Sequence, residues 1–166
     1  MGPAGRGGIF NPTMAAESLS SLLVPKQIAL GLEGESRTDI LRALTGILPL
    51  PERVRGEALK AVLRREEIQT TGIGQGIAIP HGKVSMEPPI LAALGITKSP
   101  VQFGSVDGLP VRIFVLVVSR PDVTGPHVQA LAGISRLLGH RSFREALLTA
   151  KDAGEVMALI AGEPGS

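Results

Sequence analysis

Val111-Arg-Ile-Phe-Val-Leu-Val-Val-Ser119 decides the architecture. From Ile113 to Val118 every side chain is apolar, so an extended segment here has no polar face to offer water. A strand of that kind belongs inside a sheet that is covered on both sides. The run is also far shorter than the ~20 residues that span a bilayer. The segment therefore predicts an α/β chain with helices on each face of a sheet.

Outward from it, Ile90 to Thr97, Ile77 to Pro80 and Gln27 to Leu32 read as further strands. Thr38 to Leu48 has Ile40, Ala43, Leu44, Ile47 and Leu48 at helical spacing. Pro49 and Pro51 end that helix, and a second is expected from Pro51 to Arg64 with Val54, Ala58, Leu59 and Val62 inward. Downstream, Pro126 suits the first turn of a helix that runs through Val128, Leu131, Ser135 and Leu138 to a terminator at Gly139. Ser142 and Asp152 are expected to cap two more helices, and Asp152 with Glu155 has the spacing of a capping box.

A chain of 166 residues can bury one sizeable core. We expect one domain over residues 19–161, a Gly/Pro-rich flexible leader over 1–18 in which Met14 is a candidate start, and a tail over 162–166. Aromatic residues are only 2% of the chain, which argues against stacking on bases or sugars. Seventeen basic and fifteen acidic side chains leave +2, too even a balance for a nucleic-acid surface. The chain has no cysteine, which removes disulfides and thiolate chemistry and fits a reducing cytoplasm. Residues 1–14 have no apolar centre of the kind a signal peptide needs, so no membrane insertion is expected.

The chemistry gathers at His81, which follows Ile77-Ala-Ile-Pro80 and precedes Gly82. An imidazole at the end of a buried strand is held rigidly yet faces a crevice. Pro80 restricts its presentation, and Gly82 is expected to remove bulk beside it. Gly72, Gly74 and Gly76 fail the dinucleotide fingerprint, because Ile77 and Ile79 occupy the third glycine places, and Gly82-Lys83-Val84 fails as a phosphate loop. They are expected instead to form a tight turn beside the histidine. His127 falls at a predicted helix start, where N–H groups and the dipole favour an anion. No third ligand at zinc spacing accompanies the histidines, and no Gly-x-Ser-x-Gly elbow is present. Arg64 and Arg65, followed by Glu66 and Glu67, read as a solvated helix end, although an arginine can clamp phosphate. His140, between Gly139 and Arg141, reads as a surface residue.

Arg65-Glu66 followed by Thr71-Gly-Ile-Gly-Gln-Gly-Ile-Ala-Ile-Pro-His81-Gly82 resembles the active-site signature of phosphotransferase-system (PTS) enzyme IIA domains of the fructose, mannitol and nitrogen-regulatory type. Asp107-Gly108, the strand Val111 to Ser119 and His127-Val-Gln-Ala-Leu-Ala-Gly-Ile-Ser-Arg-Leu-Leu138 are similar to the same family's second-histidine segment. The likeness extends from about Leu19 to Ile160. It implies a three-layer α/β sandwich with a mixed sheet, phosphorylation on His81, and His127 and Arg65 in the same site, with no cofactor or metal. It also implies HPr as donor, charged from phosphoenolpyruvate, and a IIB domain of a sugar transporter as acceptor. The alternative it carries is a nitrogen-type regulator whose phosphorylation state controls binding to partner proteins. No IIB-, IIC- or HPr-like segment is fused to the sequence, which mildly favours the regulator and leaves a free-standing carrier open. A non-catalytic ligand-binding module of the same fold is a third class, disfavoured by the presence of both histidines and the arginine. N–H groups of the Gly74 to Gly76 turn or of the His127 helix are expected to assist Arg65 and His127 in holding phosphoryl oxygens. Arg120 departs from the family pattern, which more often continues Ser-Pro, and adds a cation to the loop before His127.

Overall fold

The computed structural model describes residues 19–162, so the expected leader, and residues 163–166 of the expected tail, lie outside the described residues. One mixed sheet contains β1 (Ile28–Leu32), β2 (Gly72–Gly74), β3 (Ile77–Ala78), β4 (His81–Lys83), β5 (Ile90–Val101) and β6 (Val111–Ser119). Residues 19–22 are helical and Pro25–Gln27 form a 3-10 turn; the longer helices are α1 (Arg37–Gly46), α2 (Glu52–Ile68), α3 (Thr124–Leu138), α4 (Arg141–Thr149) and α5 (Ala153–Gly162).

β6 lies inside the sheet, as its two apolar faces require. β5 runs antiparallel along one side, from Ile90 opposite Ser119 to Ile96 opposite Ile113. β3 and then β4 run parallel along the other, with Ile77 opposite Ile113 and His81 opposite Val117. β1 adds to β5 in parallel and β2 to β3 antiparallel. Because side chains alternate along a strand, Ile113, Val115 and Val117 enter a core with α3, α4 and α5, while Phe114, Leu116 and Val118 enter a second core with α1 and α2. Each such aliphatic side chain contributes about 1.5–3 kcal/mol by leaving water. The result is the expected three-layer sandwich.

Some boundaries differ from expectation. α1 stops at Gly46, ahead of Pro49, and β5 continues to Val101 after a register shift beyond Ile96. α2 runs on to Ile68, because Val54, Ala58, Val62 and Glu66 keep a buried stripe past Arg64. The predicted strand Ile77 to Pro80 is interrupted: β3 ends at Ala78, and His81 opens β4 rather than closing a strand. Pro80 has no N–H for a ladder, but its carbonyl accepts from Val117 N–H at 2.9 Å, which keeps both pieces along β6. Ser142 is not a cap, since α4 starts one residue before it with His140 at the N-cap position. Asp152 does cap α5, accepting from Glu155 N–H at 2.8 Å, while the Glu155 carboxylate accepts from Lys151 N–H at 3.1 Å.

Candidate active site: a histidine pair at the end of the central strand

β4 alternates across the sheet edge, so His81 and Gly82 face opposite ways. Gly82 faces α2 so closely that a Cβ there would lie 3.1 Å from Val62 N and 3.2 Å from the Ala61 carbonyl carbon. Gly82 lines the crevice, so the expected room for an incoming partner is joined by a second reason for this glycine: a Cβ would force α2 back from its seat on β4 by a few tenths of an ångström. That seating carries the end of α2 to the histidine. The ring of His81 lies on the α3 side, and its centroid is 5.5 Å from that of His127 with the planes at 62°. Arg64, Arg65, Ile68, His81, Lys83 and His127 line one crevice of about 550 Å³. The crevice thus brings together all three sequence-predicted site residues.

Each ring is held from behind. His81 Nδ1 is 2.8 Å from the Ile79 carbonyl oxygen, which can only accept, so Nδ1 carries the proton and Nε2 holds a lone pair in the neutral ring. His127 Nδ1 is 2.6 Å from the Ser119 hydroxyl. Burial lowers the His81 pKa from the usual histidine value, and the Arg65 charge adds to the fall; the Ile79 hydrogen bond and the Glu66 charge oppose it. Burial, then the His81 ring and Lys83, push His127 down to about 4. Both rings are consequently neutral near pH 7.

Two residues of this site have no role assigned from sequence. Glu66 is 4% exposed, and its carboxylate accepts both the N–H and the hydroxyl of Thr71, so it is no member of a solvated helix end. The signal was its place four residues after Val62 on the buried stripe of α2. Ser119 continues the Ile113, Val115, Val117 face of β6 toward α3, and that parity was readable too.

Other expectations are corrected. The Gly74 to Gly76 turn is not among the lining residues of this crevice: Gly74 N–H donates to Ser105 Oγ at 3.1 Å and Gln75 N–H to Asp107 Oδ2 at 2.9 Å. His127 does lie in the first turn of α3, as expected, but its own N–H is taken by the Val123 carbonyl. Arg120 pairs with Asp122 at 3.0 Å and donates to the Glu87 carbonyl, so its charge is drawn away from the histidines. Lys83 supplies the nearby cation instead, reaching Thr124 Oγ1 at 3.0 Å.

A sheet of this topology is a fold shared with known proteins. The family described as "Phosphoenolpyruvate-dependent sugar phosphotransferase system, EIIA 2" matches residues 21–162, and the chain belongs to it. It is 29% identical over 149 residues to a nitrogen regulatory protein of Bradyrhizobium diazoefficiens, covering 89% of this chain and 97% of that one. It is 28% identical over 144 residues to the fructose-specific EIIABC component of Bacillus subtilis, covering 86% of this chain but 23% of that protein. The solved structure of nitrogen regulatory protein IIA-Ntr from Neisseria meningitidis superposes with a TM-score of 0.79 at 28% identity, over 85% of this chain and 97% of that one. Among the described residues no helix is long and apolar enough to cross a membrane, and no cluster of three or more His, Asp or Glu could hold a metal ion.

Proposed function

We propose that this protein is a phosphoryl carrier: Nε2 of His81 accepts the phosphoryl group of phosphorylated HPr and passes it to a IIB domain of a fructose- or mannitol-type transporter. The observation that carries the reading is the Ile79 hydrogen bond, which commits the proton to Nδ1 and leaves Nε2 as the nucleophile. In the step, the donor's N–P bond breaks as the bond from His81 Nε2 to phosphorus forms. The ring's growing positive charge is met by the Nδ1–H···O=C bond. Ser119 donates its hydroxyl proton to His127 Nδ1, so that His127 Nε2–H points a proton at the phosphoryl oxygens, and Arg65 adds a guanidinium. Little else is needed, because phosphoryl transfer depends mainly on alignment and charge stabilisation. Ile68, 81% exposed at the crevice lip, supports a macromolecular donor that covers apolar surface on docking.

Incubation with phosphoenolpyruvate, enzyme I and HPr followed by intact-mass measurement tests this. The protein should gain one phosphoryl group and the His81→Ala variant none; uptake by that variant at the normal rate would refute the assignment. His127→Ala should still accept, more slowly.

A second reading, regulation through partner proteins chosen by phosphorylation state, is favoured by the two nitrogen regulatory relatives, each of which is covered over 97% of its length. Neighbouring genes for a IIB–IIC pair would decide for transport, and neighbouring nitrogen-sigma-factor genes for regulation.

A further inference from the structure

The Gly74-Gln75-Gly76 turn, set aside from the histidine crevice, belongs to a different groove. All three residues have positive φ, at 99°, 60° and 80°, and Gln75 is the one non-glycine residue with positive φ among those described. Positive φ at both Gln75 and Gly76 is the geometry of a two-residue hairpin turn joining β2 to β3. Gln75 lines a groove of about 400 Å³ between the start of β6 and α4. That volume is in the range of small-molecule sites. Ile113 lines this groove and pairs with Ile77, whereas His81 pairs with Val117, so the two sites are separated by roughly 13 Å of strand.

The groove has an apolar floor and a cationic wall. Leu109, Pro110 and Leu148 present carbon, and Leu109 is 55% exposed. α4 turns Arg141, Arg144, Glu145 and Leu148 to the groove, the spacing of one helix face. Arg141 is neutralised by Glu145 at 2.9 Å. Arg112 and Arg144 are different: both are half-buried, and neither has a carboxylate partner among the described residues. Arg112 is pinned by the Thr97 carbonyl at 3.2 and 2.9 Å, and Arg144 by the Leu138 and Gly139 carbonyls at 3.0 and 2.9 Å. Arg144 thereby caps the C-terminus of α3, whose partial negative charge offsets part of its own, while Arg112 is fixed by a strand carbonyl that leaves its charge in place; both guanidinium groups are preorganised. Two carboxylates weigh against a dianion: Glu145 on α4, and Asp107, which accepts from the backbone N–H groups of Gln75 and Leu109.

We propose that this groove binds a small monocarboxylate with an aliphatic body, its head group on Arg112 and Arg144 beside the Gln75 amide and its chain over Leu109, Pro110 and Leu148. The proposal is independent of the phosphoryl reading of His81. Sodium octanoate is the probe, with acetate and 1-octanol supplying head and chain alone, followed by backbone amide shifts in two-dimensional NMR. Octanoate should move the amides of Gln75, Gly76, Arg112 and Leu148 saturably and bind at least tenfold tighter than either control. Arg112→Gln should remove the preference for octanoate over octanol. Leu148→Glu, at an exposed position with no backbone bond to lose, should abolish binding and keeps the test available if Arg112→Gln does not fold. Equal binding of octanol or of acetate, shifts scattered over the surface, or octanoate binding unchanged in Leu148→Glu would each overturn the proposal.

Discussion

At His127 every identified influence acts in one direction: enclosure, the adjacent imidazole and Lys83 all disfavour its charged form. An unfolded histidine titrates near about 6.5, and the folded one near about 4. Between those values the unfolded chain binds more protons, so stability rises with pH and is lost as pH falls from about 6.5 toward about 4. Urea unfolding across that window should show this slope, and it should flatten in His127→Gln; an unchanged slope would mean the ring is not held neutral. Ser119 is the residue that orients this ring. Ser119→Ala should leave His127 in a mixture of tautomers by 15N NMR and slow phosphoryl uptake on the order of tenfold, the worth of one lost hydrogen bond of about 1.4 kcal/mol. A single retained tautomer with normal uptake would remove Ser119 from the site.

Helix α2 is the element on which the site's geometry turns, and Gly82 is where it touches the sheet. Gly82→Ala must push Val62 and Ala61 outward, at about 1–3 kcal/mol, and it carries Arg65 away from the crevice. A methyl group added at Gly56 on the same helix would meet nothing within 4 Å, so Gly56→Ala should stabilise by about 0.5–1 kcal/mol. Denaturant midpoints of the two variants should therefore move in opposite directions; movement in the same direction would contradict the close seating of α2 on β4. The elements with strong patterns were legible from sequence: β6 coincides with Val111–Ser119, and α3 ends before Gly139 as expected. The region around His81 was less legible. β2, β3 and β4 are two or three residues long, too short for alternation to show, and their pairing is dictated by β6 at a distance in sequence.

Over the whole molecule, two apolar cores share β5 and β6, so neither can be lost while the sheet stays intact. Leu137→Ala, in the core under α3, should cost about 2–5 kcal/mol and shift a single thermal transition seen alike by circular dichroism and by amide signals from both faces. Two separated transitions would show that the layers fold independently. At this scale the site is a product of topology: β4 delivers His81, α3 delivers His127, and the end of α2 delivers Arg65 and Glu66. The motif around His81 and the segment around His127 identified the first three as candidates. Glu66 stands inside the motif but reads as solvated because its charge outweighs its place on the buried stripe, and Ser119 reads only as a strand boundary. The proposed chemistry turns on one atom. Long-range 1H–15N NMR of the phosphorylated protein, with phosphorus coupling resolved on the imidazole nitrogens, should place the phosphoryl group on Nε2 of His81; coupling to Nδ1 of that ring, or to either nitrogen of His127, would contradict it.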